Sequence, residues 1–81
     1  MKIYDFGGSK NICGARIKET RKRLGISQAD FAAKLQVRGV NIERDSVSRI
    51  EIGTRFVADY ELLAISEILG VSPAYLLGSE K

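Results

Sequence analysis

Apolar positions along this chain recur at helical spacing in short segments, most of them closed by a glycine. The first segment runs from about Gly14 to Leu24 and stops at Gly25. On it Ile17, Arg21 and Leu24 lie at i, i+4 and i+7, the stripe expected to face inward. Ser27 caps a second helix, QADFAAKL, which ends near Leu35 and has Phe31, Ala32 and Leu35 as its apolar set. Residues 36–43, QVRGVNIE, hold Gly39 and Asn41 and read as a connection. RDSVSRIEI, residues 44–52, is a third helix stopped by Gly53, with Val47, Ile50 and Glu51 on its inner face. A fourth runs from about Ala58 to Leu69, with Ala58, Leu62, Ile65 and Leu69 on one stripe, and ends at Gly70. Ser72 caps a last short helix that starts with Pro73, a favoured place for proline. MKIYDF ahead of these reads as a strand with no sheet to join, and GGS at 7–9 sets it apart as an arm. The fold class expected is all-α.

Two of these positions carry a charge where the pattern asks for an apolar side chain. Arg21 lies on the inner stripe of the first helix and Glu51 on that of the third. A buried charge is costly unless it is paired and hydrogen-bonded. One contact between the two explains both, and would lock the third helix against the first. The alternative is that each snorkels to solvent at the edge of the core. The third helix needs such an anchor, because isolated helices below roughly 12–15 residues are marginal in water.

With Val47 and Ile50 inward, Arg44, Asp45, Ser48, Arg49 and Ile52 occupy the outer side, and Ser46 lies at its edge. Arginine forks match guanine edges in the DNA major groove. Serine hydroxyls and helix N-terminal amides bind phosphate. Gln28, in the first turn of the second helix, offers a further polar group at a helix start, and Thr54 and Arg55 add a hydroxyl and a cation after the third. Together they make a phosphate-contact set around a base-reading helix.

Composition narrows the classes. The 81 residues, 44% apolar and 28% charged, suit one globular domain. The single cysteine, Cys13, excludes an intrachain disulfide and suits a reduced, cytoplasmic setting. It reads as a small residue before a helix, not a nucleophile. With no histidine and no nucleophile–base set, no catalytic residue, metal site or cofactor is expected, and the chain is not read as an enzyme. No apolar run approaches 18 residues, and the first ten lack a signal-peptide core, so no membrane role is expected. The net charge of +3 is unevenly spread: +5 over residues 1–26, +1 over 27–57 and −3 over 58–81. A basic end could face a polyanion, although on charge alone a solvated face is the better reading.

RIKETRKRLGISQADFAAKL, then DSVSRIEIGTR, then LLAISEILGVSPAYLLG resembles the Cro/XRE-type helix-turn-helix family of phage-repressor-like DNA-binding domains. The individual words are weak, but their order is specific. The resemblance implies a compact five-helix bundle whose second and third helices form the helix-turn-helix, over residues 14–78, with an arm at 1–13 and a tail at 79–81. It implies that Gln28 contacts the DNA backbone, that Arg44, Asp45 and Arg49 reach base edges, and that Thr54 and Arg55 touch phosphate. Arg21 and Glu51 match the family's buried ion pair.

One departure concerns the turn. Eleven residues separate Leu35 from Val47 where the family has about six, so the turn is lengthened by about five; a helix-turn-helix turn normally has about 3–4 residues. This bears on Arg44 and Asp45 more than on Arg49. The insertion reaches DNA through Arg38 or is a plain surface loop, the latter being favoured for any one residue in it. The function expected is sequence-specific binding of double-stranded DNA by a transcriptional repressor or regulator, as a homodimer on two half-sites about 34–36 Å apart. Candidate dimer surfaces are Ile3, Tyr4 and Phe6 in the arm and Tyr75, Leu76 and Leu77 at the other end, against ordinary packing onto the core. The alternatives are an antitoxin whose main partner is a protein, and a protein-binding adaptor of the same fold.

Overall fold

The computed structural model of the protein describes residues 6–80. The first five residues of the strand-like MKIYDF stretch, Ile3 and Tyr4 among them, and Lys81 of the tail lie outside them. Five helices follow one another: α1 (Gly14–Arg23), α2 (Gln28–Val37), α3 (Arg44–Ile52), α4 (Asp59–Leu69) and α5 (Pro73–Leu76). The expected caps are in place. Ser27 Oγ accepts from the Asp30 N–H at 3.0 Å, and Ser72 Oγ from the Tyr75 N–H at 3.0 Å. Among the described residues strand pairing is limited to a tight turn, in which Phe6 and Ser9 exchange two backbone hydrogen bonds.

The core gathers Ile17 from α1, Phe31 and Leu35 from α2, Val47 and Ile50 from α3, Ile65 and Leu69 from α4 and Leu76 from α5. α3 packs on α1 and α2, α4 also packs on both, and α5 closes against α1 and α4. Fully burying an Ile or Val side chain is worth roughly 1.5–3 kcal/mol. Val47 and Ile50 thus hold α3 by packing that a nine-residue helix could not replace by propensity. No helix of the described residues is long and apolar enough to cross a membrane.

Two sequence expectations need correction. Leu24 is not on the inner stripe: it is 50% exposed. α1 ends at Arg23 and the chain turns at Gly25, so the helical period no longer applies at i+7. The inner stripe is Ile17, Thr20 and Arg21, and Ile26 beyond the turn packs on the core instead. The connection before α3 is more than a loop, since α2 continues to Val37, and Val40 and Ile42 are buried. Their in-out-in alternation around exposed Asn41 stitches the inserted residues to the core. Arg38 pairs with Glu67 of α4 at 2.9 Å, an exposed contact between this turn and α4.

Candidate nucleic-acid interface

The inner side of α3 is fastened by the charged pair. Arg21 donates to both Glu51 oxygens, Nε to Oε2 at 2.6 Å and Nη2 to Oε1 at 2.9 Å. Its Nη1 donates to the Ile26 carbonyl at 2.7 Å. Both residues are 7% exposed. The bond to Glu51 raises the Arg21 pKa, against the lowering effect of burial. Parallel fork-to-carboxylate bonds fix an angle as well as a distance. Gln28, half-buried at the start of α2, adds a third donor to Glu51 at 3.1 Å. α1, α2 and α3 therefore meet at one carboxylate.

That contact decides what faces outward. Arg44, Asp45 and Arg49 are exposed along α3, with Ser46 and Ser48 half-buried at its margins. Among the described residues, the side chains of Arg44, Asp45 and Arg49 enter no hydrogen bond or ion pair, so they present open donors and acceptors to solvent. Glu43, which precedes α3, supplies no side-chain cap. The first-turn N–H groups of α3 thus keep their capacity to bind an anion.

The loop after α3 carries Thr54 and Arg55. Thr54 is exposed and donates its backbone N–H to the Arg49 carbonyl at 2.9 Å. Arg55 is not a free cation: its Nη1 and Nη2 lie 3.0 and 3.1 Å from the two oxygens of Glu61, and Nη1 also donates to the Phe56 carbonyl. Glu61 in turn accepts from the Ala58 N–H at 2.9 Å, half of a capping box at the start of α4. Arg55 thus joins the loop to α4. The pairing was not legible beforehand because Arg55 lies in a loop, where no period relates it to a partner six residues on.

A second contact set around α3 also escaped the sequence reading. Asn11, in the arm, donates Nδ2 to the Ile50 carbonyl at 3.0 Å and to the Arg55 carbonyl at 2.8 Å. Its Oδ1 accepts from the Gly14 N–H at 2.8 Å. An asparagine shortly before a helix is a capping signal, which could have drawn notice to it. Cys13, between the two, is buried; burial pushes its thiol pKa up, which keeps the sulfur an inert filler. At the opposite end Leu76 is fully buried, which leaves Tyr75, half-buried, and Leu77 as the accessible members of that group. Phe6 is 74% exposed.

The comparisons with known proteins agree with this arrangement. The helix-turn-helix family model matches residues 17–76, well over half of the chain. The structure is similar to that of the P22 c2 repressor protein in complex with a synthetic operator, with a TM-score of 0.73 and 30% identity, covering 86% of this chain and 98% of that one. It is also similar to the DNA-binding domain of BldD, with a TM-score of 0.67 and 27% identity, covering 83% and 90% of the two chains. No curated protein sequence matches the chain. With its five helices in order and α2 and α3 joined through Glu51, this chain belongs to the Cro/XRE-type helix-turn-helix family, whose members are DNA-binding regulators and not enzymes.

Proposed function

We propose that the protein binds double-stranded DNA in a sequence-specific way and acts as a transcriptional repressor, as a homodimer on two half-sites. The observation that carries this reading is the division of α3. Its inner face is locked by the Arg21–Glu51 fork, and its outer face shows water Arg44, Asp45 and Arg49 with their polar groups open. Holding open polar groups on a rigid element is what base reading requires, since a loosely held arginine loses the directionality of a bidentate contact. Arg49, two residues after buried Val47, is assigned to a guanine edge, with Arg44 and Asp45 as further base contacts. Ser46, Ser48, Gln28 and Thr54 are assigned to phosphate. Arg55 joins them by sharing its guanidinium between Glu61 and the backbone of the DNA. The similarity to a repressor solved with its operator supports both the ligand and the regulatory role.

The test is selection of bound sequences from random duplex DNA, followed by affinity for the best site and for scrambled DNA. A bidentate arginine–guanine contact discriminates by about 1–3 kcal/mol. Arg49→Ala should weaken the best site by that amount and relax one position per half-site, leaving scrambled DNA nearly unaffected. Equal losses on both DNAs would make Arg49 a backbone contact and remove α3 from the reading role.

A further inference from the structure

The arm segment Ser9–Asn11 holds the far end of α3. Asn11 is the hub. Its amide nitrogen bonds the Ile50 carbonyl inside the last turn of α3 and the Arg55 carbonyl beyond Gly53. Its amide oxygen takes the N–H of Gly14, the first residue of α1. Around it, the Lys10 N–H donates to the Gly53 carbonyl at 2.8 Å, and Ser9 Oγ donates to the carbonyls of Asn11 and Gly53 at 2.5 and 3.3 Å. The ends of α1 and α3 are also in direct backbone contact, because a Cβ on Gly14 would collide with the Ile50 carbonyl oxygen.

α3 is thus held at two places by the same helix. The Arg21–Glu51 fork joins it to α1 through side chains, and Asn11 joins the Ile50 carbonyl of its last turn to the first N–H of α1. The Ile50 carbonyl that Asn11 takes adjoins Arg49, and the Thr54 N–H closes on the Arg49 carbonyl itself. A shift of this end would carry the Arg49 backbone with it.

We propose that Asn11 is a positioning residue for base reading: by bridging the N-terminus of α1 to the C-terminus of α3 it sets where Arg49 meets the base edge. This rests on the reading of α3 as the DNA-reading helix. Asn11 itself need not touch DNA. Bidentate contacts depend steeply on placement, so loosening the end of α3 weakens the matched site more than nonspecific binding, which is carried by charge and tolerates displacement.

The experiment compares the full chain with Asn11→Asp, which removes the amide donors to Ile50 and Arg55 while keeping an acceptor for Gly14. Ser9→Ala is a milder second variant that keeps Asn11. The readout is the ratio of affinities for the selected best site and for scrambled duplex. Partial unfolding lowers both affinities by one factor and cancels from this ratio, so a merely structural role would not move it. The ratio should fall roughly three- to tenfold in Asn11→Asp and by less in Ser9→Ala. In an Arg49→Ala background the Asn11→Asp change should leave the ratio where Arg49→Ala alone puts it. An unchanged ratio in both single variants of a wild type that does discriminate would overturn the positioning role alone. So would a fall of equal size with and without Arg49. A wild type with no preference for any duplex sequence would overturn the DNA reading, and this one with it.

Discussion

Glu51 accepts from Arg21 twice and from Gln28 once, at a site closed to solvent, so truncating either charge strands the other. Arg21→Ala and Glu51→Ala should each cost about 3–5 kcal/mol in denaturant melts, while replacing both by apolar residues should recover much of the loss. Losses of a few tenths would mean that water reaches the charges after the truncation. Glu61 behaves differently because its role depends on pH. Burial alone would raise its pKa, but the hydrogen bonds from Arg55 and Ala58 and the charge of Arg55 outweigh that and lower it. A depressed carboxyl stabilises the fold above its unfolded pKa, about 4.3, and the contribution is lost as pH falls through the lower folded value. The melting temperature should therefore drop below about pH 4.3, and Glu61→Gln should flatten that drop. Parallel acid slopes in the two proteins would assign the acid sensitivity to other carboxylates.

At the scale of elements, α3 is a short helix whose stability is supplied by its neighbours. α1 contributes Arg21 to its inner face and Gly14 to its end, and the inserted turn contributes Val40 and Ile42 to the core beneath it. The Gly14 contact gives a mutation with an unusual sign. Gly→Ala in a helix normally stabilises, by up to about 1 kcal/mol. Here the new methyl would meet the backbone carbonyls of Ile50 and Glu51, which cannot swing aside as a side chain would. Gly14→Ala should destabilise by about 1–3 kcal/mol, the range for forcing a group into a packed site. Thermal melts showing a gain would mean that α1 and α3 can separate freely at this end.

At the scale of the molecule, charge is segregated along the chain, basic toward its start and acidic over residues 58–81, where three of the four acids lie on α4. The exposed cations of α1, Arg16, Lys18, Lys22 and Arg23, belong to the helix that holds α3. If these cations and the α2 and α3 starts neutralise several phosphates on a dimer, affinity for duplex DNA should fall steeply with salt. Six to ten contacts correspond to about 10³–10⁵ between 50 and 200 mM. A flat salt titration would argue against polyanion binding by any surface of this protein.

The helices themselves were legible because each is signalled locally: Ser27 and Ser72 cap, Gly53 and Gly70 stop, and Phe31, Ala32 and Leu35 repeat with the period of one face. The Arg21–Glu51 contact was legible too, since two opposite charges on inner faces leave few other solutions. Leu24 misled because the helical period ends where the helix does, and the core role of Val40 and Ile42 was hidden in a segment with turn residues. Arg55–Glu61 and the bonds of Asn11 depend on which loop comes to lie beside which helix end, and no local pattern encodes that. The sequence by itself determined five helices and the centre of each inner face, though not its edges at Leu24, just past α1, or at Glu61, Ala64 and Ser66 of α4, because capping and periodicity act over one or two turns. Only the tertiary structure decided which donors meet which carbonyls at the end of α3, because those partners lie about forty residues apart and meet only once the core has closed.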